Sequence, residues 1–170
     1  VEKVEFRFIQ ASDNKKLANV IRNVFEEYDV PKCGTVYSDP TTDDLFVLFQ
    51  KESAAFFVVE VDGIVAGCGG IYPMAGCGGI YPTKGLPDKY AELVKLYLSN
   101  THRGKGLGKY LLEKCIATAK KMGYTHLYLE SFPQFVEAIH LYQQYGFEYL
   151  PNAMGQSGHT ACNVWMLKPI

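Results

Sequence analysis

The stretch His102-Arg103-Gly104-Lys105-Gly106-Leu107-Gly108-Lys109 places three glycines in five positions among the cations Arg103, Lys105 and Lys109. A strand-like run precedes it and a helix-like run follows. Glycine lets backbone approach a ligand closely. Free amides at a helix start, with the helix dipole behind them, suit a phosphate. The three cations add charge at the same place. The chemistry implied is capture of a phosphorylated ligand. Two other phosphate loops do not fit. A Walker loop needs G-x-x-x-x-G-K-[ST], but Arg103 stands at its first glycine and Tyr110 follows Lys109. A dinucleotide fingerprint needs G-x-G-x-x-G, and its third glycine falls on Lys109 or Leu111.

The other reactive side chains form no local pattern. Cys33, Cys68, Cys77, Cys115 and Cys162 are odd in number and contain no C-x-x-C pair. That argues against a disulfide framework or a structural zinc site. Reduced thiols fit a cytoplasmic protein. His102, His126, His140 and His159 lack metal-ligand spacing, so no metal is expected.

These residues need a scaffold, and 170 residues predict one domain over 1–170. Hydrophobic residues at 48% and charged residues at 21% are ordinary for a soluble globular chain. No apolar run approaches the roughly 20 residues that span a bilayer, so no membrane association is expected. Val1 to Gln10 alternates charged and apolar residues, unlike a signal peptide. A net charge of −1 argues against a nucleic-acid partner. Charge is uneven, however. Residues 1–64 hold seven basic and twelve acidic groups, a balance of −5, which mildly suits a cationic ligand. Residues 100–125 hold six basic groups against Glu113, a balance of +5. A basic patch on a neutral chain suits a small anionic ligand, although a solvated helix face would read the same way.

Val4 to Ile9 alternates as a strand. Ser12 or Asp13 can cap the next helix, whose stripe is Leu17, Val20, Ile21, Val24, Phe25 and Tyr28 and which Pro31 ends. Thr41 or Thr42 can cap a short helix through Leu48. Ala55 to Val61 reads as a strand, and Asp62-Gly63 as a hairpin turn into Ile64. The octapeptide Ala66 to Pro73 then recurs, residue for residue, as Ala75 to Pro82. Two copies nine residues apart make no solenoid. The repeat is a local duplication, and only one copy can continue the Ile64 strand in register. Leu93 to Ser99 is a strand and Gly104 to Met122 a helix that Gly123 ends. Tyr124 to Ser131 is a strand, and Phe135 to Tyr145 a helix stopped by Gly146. Phe147 to Pro151 and Asn163 to Leu167 close the chain as strands. The order predicts a mixed α/β fold.

R-x-x-G-x-G, read on Arg103, Gly106 and Gly108, resembles the pyrophosphate loop of the GNAT superfamily of acetyl-CoA-dependent N-acetyltransferases. Glu92 to Leu98 resembles the strand before that loop. Ala138-Ile139-His140-Leu141-Tyr142-Gln143-Gln144-Tyr145-Gly146-Phe147 resembles the A-x-x-x-Y-x-x-x-G-F signature of the family's later helix. The resemblance covers most of the chain and is strongest over 92–147. It implies a central mixed, mostly antiparallel sheet of about seven strands flanked by helices. One departure is Phe135, where the family often carries a cofactor-contacting Asn.

The resemblance implies direct transfer of acetyl from acetyl-CoA to a primary amine. Pantetheine would pair with the backbone of Leu96, Tyr97 and Leu98, where the sheet splays. A backbone N–H near Leu96 could polarise the thioester carbonyl. Arg103, Gly104, Lys105, Gly106, Leu107, Gly108 and Lys109 would hold the pyrophosphate. Tyr142 is the candidate general acid, a phenol able to protonate a departing thiolate; a plain core tyrosine is the other reading. Glu92 is the candidate general base through a water. In an unbroken strand it shares a face with Val94, Leu96 and Leu98, which a bulge would change; a solvent-facing charge paired with Lys95 or Lys89 is the alternative. Gly158-His159-Thr160-Ala161-Cys162 resembles a G-H-x-x-C sequence of a bacterial branch of the superfamily. His159 is a candidate for substrate binding or base work, or else steadies its loop. Cys162 reads as a small buried residue rather than a nucleophile. Tyr28, with Phe25 and Tyr37, is a candidate for the acceptor wall; plain core is the commoner reading of such aromatics. Competing functions are a transferase of a longer acyl-CoA and a non-catalytic CoA-binding or regulatory domain. The amine is a small molecule or a peptide, and a homodimer is compatible with the chain.

Overall fold

A computed structural model describes residues 1–74, 88–155 and 157–170. Among these residues seven strands form one sheet: β1 (Val4–Phe8), β2 (Ala55–Val61), β3 (Ile64–Pro73), β4 (Tyr90–Leu98), β5 (His126–Ser131), β6 (Glu148–Tyr149) and β7 (Val164–Pro169). Their order is β1-β2-β3-β4-β5-β7-β6, and the β4–β5 pair is the parallel one. The α-helices are α1 (Asn14–Glu27), α2 (Leu45–Leu48), α3 (Leu107–Lys121) and α4 (Val136–Gln144). This is the mixed, mostly antiparallel architecture expected. β3 runs through the first copy of the octapeptide; the second copy, 75–82, lies outside the described residues.

Alternation along the strands sends apolar side chains to both faces. Phe56 and Val58 join Leu17, Ile21 and Phe25 of α1, whereas Phe57 and Val59 join Leu107, Leu111 and Leu112 of α3. Ala138 of α4 packs against both clusters, so α4 closes the end where the two layers meet. No helix among the described residues is long and apolar enough to cross a membrane.

Several local expectations are corrected. Asp39, not Thr41 or Thr42, caps the turn at Pro40–Asp43, accepting from the Thr41 amide at 2.9 Å. The helix through Leu48 is the single turn of α2. Asp13 precedes α1, but its carboxylate accepts from the Gln10 amide and from Arg7 rather than capping α1. β4 begins at Tyr90, so Glu92 lies inside the strand rather than at its head.

Candidate active site

β4 and β5 are paired at Tyr90–His126, Ala91–Leu127 and Glu92–Tyr128, and no further. β4 continues to Leu98 with β3 on its other edge. The strands therefore part beyond Glu92, and a cavity of about 710 Å³ opens there. That volume suits a small-molecule site. Its wall includes Leu96, Tyr97 and Leu98 on one side and Gly104, Gly106, Leu107, Gly108 and Lys109 at one end.

A bulge at Lys95, where φ is +55°, resets the alternation of β4. Leu96 and Leu98 then join Leu93 on the α3 side, while Val94 and Tyr97 pack on the α1 side. Glu92 thus does not share a face with Leu96 and Leu98. β3 meets this bulge at Gly69, where an added Cβ would press on the end of the Leu96 side chain, 2.6 Å from Cδ1.

Glu92 is not a solvent-facing charge. It is 6% exposed and lines the cavity. Burial, and then the neighbouring Glu130 carboxylate, push its pKa from 4.5 up to about 8, against the pull of Lys95. Glu130 Oε1 accepts from Tyr128 Oη at 2.8 Å and Oε2 from Ser157 Oγ at 2.7 Å. His159 completes the group. One ligand-type atom from each of Glu92, Glu130 and His159 lies within 4.8 Å of the others. Such a set can receive a cation, whether metal ion or ammonium. Sequence spacing could not reveal it, because the three residues come from β4, β5 and the loop before β7. His159 Nε2 also stands 3.5 Å from Asp39 Oδ2, and burial, then Lys95, hold its pKa below the usual histidine value. It is both a loop anchor and a wall residue.

Tyr142 lies on α4, buried against Phe147 with ring centroids 5.7 Å apart, and lines the same cavity. Its hydroxyl makes no hydrogen bond among the described residues. Burial, then Cys115, raises its pKa well above the ordinary phenol value, so it stays protonated. Cys162 also lines the cavity, and burial lifts its thiol to about 12, which rules out a resting thiolate.

Gly104 and Gly106 hold φ of +74° and +77°, which L side chains rarely adopt, and Gly106 precedes α3. A Cβ on either would meet nothing within 4 Å, so the need is conformational and the space above the loop is open. Arg103 does not face that space freely. Its Nε and Nη2 donate to the Leu98 carbonyl at 3.1 and 3.0 Å, and both Nη atoms reach Glu27 of α1. Lys105 pairs with Glu2. Lys109 is exposed at the cavity wall.

Tyr28 lines the cavity with its ring 5.1 Å from the Arg103 guanidinium, placing it beside the glycine loop rather than beside Glu92. Phe25 and Phe135 line it too, in edge contact at 6.1 Å. For Tyr37 the plain-core reading holds: it packs against the α1-side cluster. It is not among the lining residues, and its hydroxyl donates to Glu26 at 2.8 Å. Lys95 was missed as a site residue; its chemistry becomes visible only with the bulge in place.

A model of the acetyltransferase (GNAT) family matches residues 20–147. The chain is 36% identical over 165 residues to the uncharacterized N-acetyltransferase YjgM of Escherichia coli, covering 96% of this chain and 93% of that protein. An acetyltransferase of the GNAT family from Staphylococcus aureus superposes with a TM-score of 0.78 at 16% identity, over 98% of this chain and 99% of the other. The protein yncA of Salmonella typhimurium, solved with its cofactor acetyl-CoA, superposes with a TM-score of 0.72 at 17% identity, over 98% and 94%.

Proposed function

The chain is a GNAT-family N-acetyltransferase, and from that premise we propose that it moves acetyl from acetyl-CoA to a primary amine, with Glu92 as base and Tyr142 as acid. One observation carries the assignment: Glu92, Tyr142 and the Gly104–Lys109 loop line a single cavity at the point where β4 and β5 part.

The fit to the cofactor rests on the same geometry. The edge of β4 that β5 leaves unpaired offers backbone at Leu96–Leu98 to an extended chain, apart from the Leu98 carbonyl that Arg103 already holds. The open left-handed turns at Gly104 and Gly106 direct amides at the start of α3 towards a pyrophosphate. When bound, the thioester supplies the electrophilic acetyl group.

The protein's own residues handle the protons. Glu92 and Glu130 receive the acceptor as an ammonium. Glu92, with a pKa near that of an amine, takes its proton directly or through a water. The amine nitrogen then forms a bond to the acetyl carbon as the bond to sulfur breaks. Tyr142 donates its phenolic proton to the departing sulfur; the dry surroundings that raise the phenol raise the thiolate as well. The acylated nitrogen gives its second proton to the Tyr142 phenolate, directly or through a water, and Glu92 releases the first to solvent. Four free cysteines among the described residues accord with a reducing compartment such as the cytoplasm.

Calorimetric titration with acetyl-CoA, with ATP and NAD as controls, followed by an amine screen read by thiol release, tests this reading. Selective acetyl-CoA binding with amine-dependent thiol release is expected. Binding without release from any amine would leave a CoA-binding domain instead.

A further inference from the structure

Lys95 is a buried charge that the proton chemistry above does not use. It is 8% exposed and lines the cavity. Its carbonyl accepts from the Cys68 thiol at 3.3 Å, but its ammonium makes no hydrogen bond or ion pair among the described residues. No buried side-chain nitrogen or oxygen there is both sealed from solvent and unpartnered. The ammonium therefore opens onto the cavity.

Its position is built rather than incidental. Without the bulge, Lys95 would point with Leu93 into the apolar layer under α3. The left-handed turn at φ +55° instead brings it to the side of Glu92, Asp39 and Cys68, the groups that act on its charge. A non-glycine residue in that conformation is strained, and burying an ammonium without a partner adds a desolvation cost. Asp39 is engaged elsewhere, accepting from the Thr41 amide and hydroxyl and facing His159.

We propose that Lys95 anchors an anionic group of the acceptor, so that the amine acetylated here carries a carboxylate a few bonds away, as an α-amino acid does. The inference rests on the reading that Glu92 and Glu130 receive the amine. A zwitterion satisfies the acidic pair and Lys95 together. A polyamine would set a second cation against Lys95. Arrival of a carboxylate would also restore the ordinary pKa of Lys95, which burial first of all depresses.

The test compares amino acids with the same molecules lacking the carboxylate: leucine with 3-methylbutylamine, histidine with histamine, tryptophan with tryptamine. For wild type, kcat/KM is expected to favour the preferred amino acid over its amine at least tenfold. In Lys95→Met that ratio should collapse towards one, chiefly through KM, and Lys95→Arg should restore part of it. Thermal melts check that each variant is folded. A wild type that prefers the amines, or a Lys95→Met that keeps the tenfold ratio, would overturn the anchor. Calorimetry on wild type with the N-acetylated amino acids separates the two proposals. Binding of these products without any turnover supports the anchor and sinks the transferase chemistry. Turnover of amines alone does the reverse.

Discussion

Glu92 pairs with Tyr128 at the last rung of the parallel β4–β5 ladder, so the candidate base sits at the fork where the sheet opens. Tyr128 in turn donates to Glu130, setting a second carboxylate beside the first. Burial first, and then this second carboxylate, disfavour the ionised form of Glu92, and this sets the pH at which it can act. Below about 8 it is protonated and cannot accept a proton. The wild-type kcat should therefore fall as pH drops through that value. Glu92→Gln should lower kcat by about 100-fold or more and remove that limb. A variant with full activity and an unchanged pH profile would end the role of Glu92 as base.

The same burial makes a stability prediction of definite sign. The folded pKa of Glu92 lies above its ordinary 4.5, so folding favours the protonated form. That stability is fully present below about pH 4.5 and is lost as pH rises through about 8. Glu92→Gln removes the ionisation and keeps the shape. Its denaturation midpoint should match wild type near pH 5 and exceed it increasingly towards pH 9. A gap that stays constant with pH would contradict the assigned burial of charge.

The sequence reveals those parts of the fold that are written locally. The Asp62-Gly63 turn, the stripe of α1 and the glycine loop before α3 each depend on residues within a few positions of one another, and all three stand where expected. The acceptor side depends on convergence instead. Glu130 alternates unremarkably within β5, and Asp39 looks like an ordinary turn residue. Lys95 occupies a strand position whose pleat would bury it on the wrong face. Only the one-residue bulge opposite Gly69 brings Lys95 to the side of Glu92. Periodicity describes only an unbroken strand, and the bulge turns Leu96 and Leu98 to the other face.

Tyr142 separates chemistry from binding. Its hydroxyl reaches the cavity without a protein partner, while its ring packs on Phe147. Tyr142→Phe keeps the ring and removes the proton. kcat should fall about 100-fold, with the acetyl-CoA Kd changed less than threefold and the melting temperature nearly unchanged. Unchanged turnover would return Tyr142 to the core alone.

Arg103 separates two ways of serving the glycine loop. Its guanidinium holds Glu27 of α1 in a two-pronged pair and also closes the carbonyl of Leu98 at the end of β4. A side chain so engaged acts as a strut between α1 and the loop, while the amides around Gly104–Gly108 are left to meet the pyrophosphate. The Glu27 pair is partly exposed, so its loss should cost only about 0.2–1 kcal/mol. Arg103→Met also frees the Leu98 carbonyl and should lower the melting temperature more than Glu27→Gln does. Acetyl-CoA affinity discriminates between the two roles. If Arg103 is a strut, Glu27→Gln should leave the Kd unchanged or slightly weaker. If Arg103 instead swings from Glu27 to the phosphates on binding, removing its competitor would tighten the Kd, and a tighter Glu27→Gln complex would reject the strut.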